Sequence, residues 1–379
     1  MRTRIVTDPR FAAETTALLA RLGPAAPISD YHVLLADRAG QADPGLAGHS
    51  DPAVRVADLY LPARHGPVGA RWYQHQAAAG PGPVLLWLHG GGFIGGAAAD
   101  IDHVCSRLAH LARLTVVSLD YRLAPEHPYP AALLDTCDAL RWLADHGAVI
   151  GGDGRVAAGG QSAGAALVAG ACLLARDHHL PTAAYQVLCY PVLDFGKDTE
   201  SARLFDGVFH SIKPGSWSED QYLAGQPVTA YAAPLRAASL AGLPPALVIG
   251  AGRDPLRDDA RAYAARLDDD GVDVTHVEYD STMHAFLNFC GELSAGDHAI
   301  ELVAAELAAR FAGPPAGVRA AHPPEPDGLT ERELRRDLIA AENTELTRLY
   351  DSGTISAAAR QRLQRGLGLE ATRLSDEQH

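Results

Sequence analysis

Short, almost wholly apolar runs separated by helical segments occupy the middle of the chain, and this alternation restricts the fold more than any other feature of the sequence. The runs are Val84 to Leu88, Thr115 to Leu119, Arg155 to Gly159, Tyr185 to Cys189, Leu247 to Ala251 and Val274 to Tyr279. Helical patterns fall between them at His103 to Ala112, Ala131 to His146, the Ala-rich stretch from Ala163, and Asp258 to Asp268. Strands that are apolar on both faces must be covered on both faces, which implies an α/β fold with a mostly parallel central sheet between helical layers. Upstream, Val54 to Tyr60 and Gly69 to Tyr73 alternate in polarity around the Pro- and Gly-punctuated Leu61 to Pro67, so the sheet is expected to begin antiparallel. Phe11, Leu18, Leu19 and Leu22 recur at helical spacing and predict an amphipathic helix over Pro9 to Gly23. Irregular sequence is expected from there to about Asp51.

A chain of 379 residues, 47% hydrophobic and 21% charged, can bury a sizeable core. Its net charge of −14 argues against a nucleic-acid or anionic-membrane partner, since both call for a basic face. No secretory leader is read at Met1 to Arg10, and Ala163 to Ala175 is too short to span a bilayer. The 5 cysteines are scattered without metal-ligand spacing, as expected of buried thiols in a reducing cytoplasm. The pair His178-His179 lacks further ligands at helical spacing, so no metal is expected.

Between Asp194 and about Ala233 the strand rhythm stops, and Phe195, Phe205, Phe209, Trp217 and Tyr222 suggest either a packed connection or a cap over an active site. A Pro-rich linker at 313–328 should end the catalytic domain (51–312), with 1–50 as an N-terminal helical or cap segment. Residues 329–379 read as two short helices, the first opened by the capping box Thr330-Glu331-Arg332-Glu333. With so few apolar residues they are expected to dock on the enzyme or to pair between subunits of a homo-oligomer.

Gly160-Gln161-Ser162-Ala163-Gly164 follows one predicted strand and opens one predicted helix, the setting in which a sharp turn exposes a serine hydroxyl at the carboxyl edge of a sheet. A serine attacking a carbonyl needs a base, an acid that orients the base, and donors for the oxyanion. His89-Gly90-Gly91-Gly92-Phe93, directly after a strand, offers those donors: Gly90, Gly91 and Gly92 together with Ala163, of which Gly91, Gly92 and Ala163 lead. Asp254, just past the strand at Leu247 to Ala251, is the expected acid. Asp258 and Asp259 look like first-turn helix acids, and Asp280 is the remaining alternative. His284 follows the last strand and is the expected base, His276 lying within a strand and His298 on a helix. Phe93, Phe205, Phe209, Trp217 and Phe286 are the candidate pocket residues. The chemistry calls for no cofactor.

His89 to Phe93, Asp120 to Pro130, Gly160 to Gly164, Asp254 to Asp258 and His284 to Phe286, in this order, resemble the bacterial hormone-sensitive-lipase family of esterases over about Val54 to Phe311. The resemblance implies an α/β-hydrolase fold, a small cap built from the N-terminal helices and the insertion, and hydrolysis of short-to-medium acyl esters. It also makes Asp120 to Pro130 a structural loop beneath the site. Two positions depart from the family pattern, Gln161 in place of Asp before the nucleophile and Ala285 in place of Gly after the base. Deacylation of a small acylated natural product, as deacetylase or amidase, is the alternative. A retired scaffold that only binds is the rival from another class.

Overall fold

The computed structural model describes residues 1–23, 27–39, 44–78, 80–196, 198–209 and 216–313, with Gln361 and Gln364. The chain divides into two compact units, Met1–Ala224 with Ala230–Gly317, and Gly225–Thr229 with Val318–His379. In the second, only Gly225–Thr229 and the two isolated glutamines are described, so the linker and the two tail helices expected from the sequence lie outside the described residues.

The first unit runs β1 (Arg2–Val6), α1 (Pro9–Leu22), α2 (Tyr31–Ala39), α3 (Pro44–Ala47), β2 (Val54–Leu61), β3 (Val68–His75) and β4 (Gly82–Leu88). It continues with α4 (Asp102–Ala112), β5 (Thr115–Leu119), α5 (Ala131–His146), β6 (Gly152–Gln161), α6 (Ala163–Asp177) and β7 (Gln186–Cys189). The insertion carries α7 (Glu200–Phe205) and α8 (Trp217–Leu223), and the unit closes with β8 (Ala246–Arg253), α9 (Arg257–Asp269), β9 (Val274–Met283) and α10 (Ser294–Arg310).

These strands form one sheet in the order β1-β9-β8-β7-β6-β4-β5-β3-β2. All pairings are parallel except β2 with β3 and β3 with β5, so the antiparallel edge falls where the alternating segments predict it. On one face, Leu85, Trp87, Val116, Val187, Ile249, Val277 and Tyr279 pack with Phe11 and Leu18 of α1, Val104 and Leu108 of α4, and Ile300, Val303 and Leu307 of α10. Helices α5, α6 and α9 cover the opposite face. Each fully buried Leu, Ile or Phe contributes about 1.5 to 3 kcal/mol, which makes this double-faced burial the main source of stability.

β1, α2 and the short α3 were not expected. β1 pairs in parallel with β9, Arg2 opposite Thr275 and Val6 opposite Tyr279, but only Val6 is buried, so this edge strand carries no apolar signal. α2 replaces the first part of the expected irregular stretch. Asp30 starts it by accepting from the amides of His32 and Val33 (2.9 and 3.0 Å). Leu34 alone of its residues is fully buried, too weak a periodicity to detect.

The buried thiols behave as expected of small apolar groups. Burial pushes Cys105 and Cys189 far up and Cys137 and Cys172 up to about 12, and the cysteines form no disulfide among the described residues. No helix of the described residues is long and apolar enough to cross a membrane.

The helix after β6 approaches the end of β4 so closely that a Cβ on Gly164 would lie 2.3 Å from the Leu88 carbonyl oxygen and 2.4 Å from that of His89. Both obstacles are backbone and cannot rotate away. Gly164→Ala is therefore expected to destabilise the fold by about 3 kcal/mol. Equilibrium denaturation checks this, and a variant within about 0.5 kcal/mol of the parent would contradict the packing.

Candidate active site

Parallel strands place their carboxyl ends along one edge, and here that edge carries every candidate group. Ser162, Asp254 and His284 are each the first residue beyond a strand, after β6, β8 and β9 respectively, while the His89 to Gly92 loop leaves β4. β4, β6, β7, β8 and β9 are adjacent and parallel, so their exits converge.

Ser162 sits at φ 55°, ψ −118°, a conformation unfavourable for a residue with a side chain. Its amide is held by the Cys189 carbonyl (2.9 Å), and its own carbonyl accepts from Ala166 as α6 begins (3.1 Å). Gly160 must lack a side chain for the turn to close, since a Cβ there would meet the Gly164 backbone at 2.7 Å. The hydroxyl lies 3.0 Å from His284 Nε2, and His284 Nδ1 donates to Asp254 Oδ2 at 2.7 Å. Because Nδ1 carries the proton in that bond, Nε2 is left to accept from the serine. Asp254 is fully buried and its other oxygen accepts the Leu256 amide (2.8 Å), which fixes the carboxylate. The structure thus brings these three predicted residues together. Asp280, the alternative acid, instead accepts from Thr7 Oγ1 at 3.1 Å.

The glycine loop is shaped by its own histidine. His89 is buried, stacks on Tyr121 at 4.2 Å and donates from Nδ1 to the Gly90 carbonyl (2.6 Å), and burial lowers its pKa so that it stays neutral. Among the described residues, the amides of Gly91, Gly92 and Ala163 have no acceptor within the protein. Gly90 supplies room: a Cβ there would come within 3.3 Å of Ser162 Cβ. Gly91 at φ 122° could not carry one at all, because it would meet the Gly95 carbonyl at 2.1 Å.

The aromatic candidates divide. Phe93 is buried, stacked at 3.8 Å on Tyr222 of α8, with Phe195 and Tyr129 around the pair. Phe209 is half-buried, edge-on to Phe289 at 5.3 Å, and Phe205 lies under the Arg257 guanidinium. Trp217 opens α8 and is half-buried. Phe286 is fully buried against Tyr190 and Tyr279. The two acids read as ordinary helix-start residues do more than that. Asp258 accepts the Ser201 amide within the insertion (2.8 Å) and buried Asp259 accepts the Leu193 amide at its start (3.1 Å), so both tie this segment to the turn that carries Asp254.

Some contributors went unnoticed in the sequence. Arg38 of α2 donates to the Ile94 carbonyl at the end of the glycine loop (2.7 Å), to the Ala124 carbonyl (2.7 Å) and to Glu126 (2.9 Å), and Tyr31 adds a bond to the same carboxylate (2.8 Å). The capping aspartate at Asp30 was the available signal for the helix that delivers Arg38. His103 of α4 donates to the Leu287 carbonyl (2.8 Å), just beyond His284, and its sequence context gives no hint of this.

The described sheet, its flanking helices and this edge define an α/β-hydrolase. Residues 85–288 match a family described as alpha/beta hydrolase fold. Esterase LipI of Mycobacterium tuberculosis is 39% identical over 259 residues, covering 65% of this chain and 80% of that one. Among solved structures, a hyperthermophilic esterase from the archaeon Pyrobaculum calidifontis superposes with a TM-score of 0.64 at 41% identity, over 67% of this chain and 85% of that chain. Esterase LipW from Mycobacterium marinum gives 0.70 at 34% identity, over 81% and 99%. The chain belongs to the hormone-sensitive-lipase family of α/β-hydrolase esterases.

The Arg38 clamp has a consequence for pH. Hydrogen bonds from Arg38 hold the Glu126 carboxyl down to about 2, against 4.5 unperturbed. A depressed carboxylate stabilises the fold fully above its unfolded value and loses that contribution as the pH falls towards the folded one. Glu126→Gln is therefore expected to lower Tm at neutral pH, with a difference from the parent that narrows as the pH drops below about 4.5. Melting curves across pH 7 to 3 provide the measurement, and a gap that widens on acidification would contradict the clamp.

Proposed function

We propose that this protein hydrolyses short-to-medium acyl carboxylic esters, with Ser162 as nucleophile, His284 as general base and then acid, and Asp254 orienting the imidazole. The observation that carries this reading is the continuous chain Asp254 Oδ2 to His284 Nδ1 (2.7 Å) and His284 Nε2 to Ser162 Oγ (3.0 Å) at a buried strand edge. Ser162 Oγ attacks the ester carbonyl as its proton passes to His284 Nε2. The amides of Gly91, Gly92 and Ala163 face the oxyanion that forms, and such preorganised donors are worth about 3 to 4 kcal/mol each in acyl transfer. His284 returns the proton to the leaving alcohol, and a water deprotonated by the same nitrogen then releases the acyl group.

The enclosure of the site supports small substrates. Ser162 is 7% exposed and His284 4%, and the Phe93 and Tyr222 stack holds α8 against the glycine loop, where a Cβ on Gly92 would lie 3.7 Å from Ser218 Cβ.

Ser162→Ala is expected to lower ester turnover by at least about 10⁴-fold with an unchanged melting profile. Organophosphate labelling followed by peptide mapping should find the adduct on Ser162, and modification of another serine would displace it as nucleophile. Nitrophenyl esters of graded length, each compared with the matching anilide, separate ester from amide hydrolysis, and faster anilide turnover would make the enzyme an amidase. Trimming Phe205, Phe209 or Trp217 to Ala is expected to shift chain-length preference, whereas equal losses on all esters would make the insertion a packing element only.

A further inference from the structure

The residue beside the nucleophile has no role in the chemistry above, yet its environment is costly. Gln161 is 1% exposed, its Oε1 accepts from the Tyr190 hydroxyl at 2.6 Å, and its Nε2 has no partner among the described residues. An apolar side chain would be cheaper to bury there. Tyr190 is equally constrained. It is the first residue beyond β7, at φ 39°, with its amide on the Ile249 carbonyl (2.6 Å). Its ring meets the His284 imidazole edge-on at 5.1 Å and Phe286 at 5.6 Å.

We propose that Gln161 is a positioning residue acting through Tyr190: its amide oxygen holds the phenol so that the ring fixes the imidazole plane of His284, and it does so without bringing a charge to the site. The inference rests on the serine and histidine roles proposed above. A buried hydroxyl needs an acceptor, and an amide oxygen supplies one without charge, whereas a carboxylate would bring a negative charge beside Ser162. The amide adds no carboxylate to the one already bonded to His284, Asp254. Groups around the ring include Ser162 Oγ on Nε2 and the Tyr190 phenol, and the Leu287 backbone and the Cys189 and Cys290 thiols lie near that phenol. Burial raises the phenol and both thiols, Cys290 to about 12, so all three are neutral at working pH.

The test measures kcat, KM and the pH profile on a nitrophenyl butyrate for Tyr190→Phe, Gln161→Leu, their double variant and Gln161→Glu. Tyr190→Phe removes a single oxygen and is the variant least exposed to folding failure. It and Gln161→Leu are each expected to lower kcat about tenfold with KM within about twofold, and the double variant to lose no more than the worse single one. Gln161→Glu is expected to move the acid limb of kcat up by about one pH unit while Gln161→Leu leaves it in place. Parental kcat in Tyr190→Phe, losses that multiply in the double variant, or an acid limb unmoved by Gln161→Glu would each overturn the inference. A parent enzyme with no acid limb would instead sink the histidine base itself, and with it this proposal.

Discussion

Everything at the carboxyl edge depends on how tightly α6 is driven against the end of β4. The contact is made by backbone alone, with Gly164 against the carbonyls of Leu88 and His89, and it forces the chain through Ser162 in a turn that ordinary residues avoid. The turn lifts the hydroxyl off the sheet and aims the first amide of α6 towards the loop leaving β4. The same approach sets the distance between nucleophile and glycine loop, so two parts of the site are fixed by one steric condition. The remaining groups need only to emerge from neighbouring parallel strands, which the ladder guarantees.

The sequence was most legible where burial is two-sided. The apolar runs located the central strands to within a few residues, and the order of motifs located the edge on which Ser162, Asp254, His284 and the glycine loop meet. It was least legible where an element is held by polar contacts. β1 buries only Val6, and α2 is held by Arg38 and Tyr31 rather than by an apolar stripe, so neither leaves a periodic trace. Asp258 and Asp259 looked like ordinary helix-start acids because their partners, Ser201 and Leu193, lie far away along the chain and reach them only after folding. Tyr190 was invisible for the same reason: its place beside His284 is a property of strand order, which brings β7 between β6 and β8.

Polar bonds also explain how the covering segments are attached. α2 is clipped to the end of the glycine loop by Arg38, and the insertion is clipped to the first turn of α9 by its two aspartates. The Arg38 clip ends on the Ile94 carbonyl beside Phe93, and Ser201 at the other clip donates from Oγ to the Pro255 carbonyl beside Asp254 (2.8 Å). The cover can thus vary in sequence between its anchors while the strand edge beneath it keeps its geometry.

Left-handed backbone angles recur around the reacting pair: Ser162 at 55°, Tyr190 at 39° and Ala285 at 62° all carry side chains in a region that suits glycine. Strain of this kind costs on the order of 1 to 3 kcal/mol at each position and persists only because the surrounding packing overrules it. The chain therefore holds a reserve of unclaimed stability in its most useful corner. A search for hardier variants that ranks substitutions by melting temperature alone will be drawn to these positions first, and there a gain in robustness is most apt to be a loss of function.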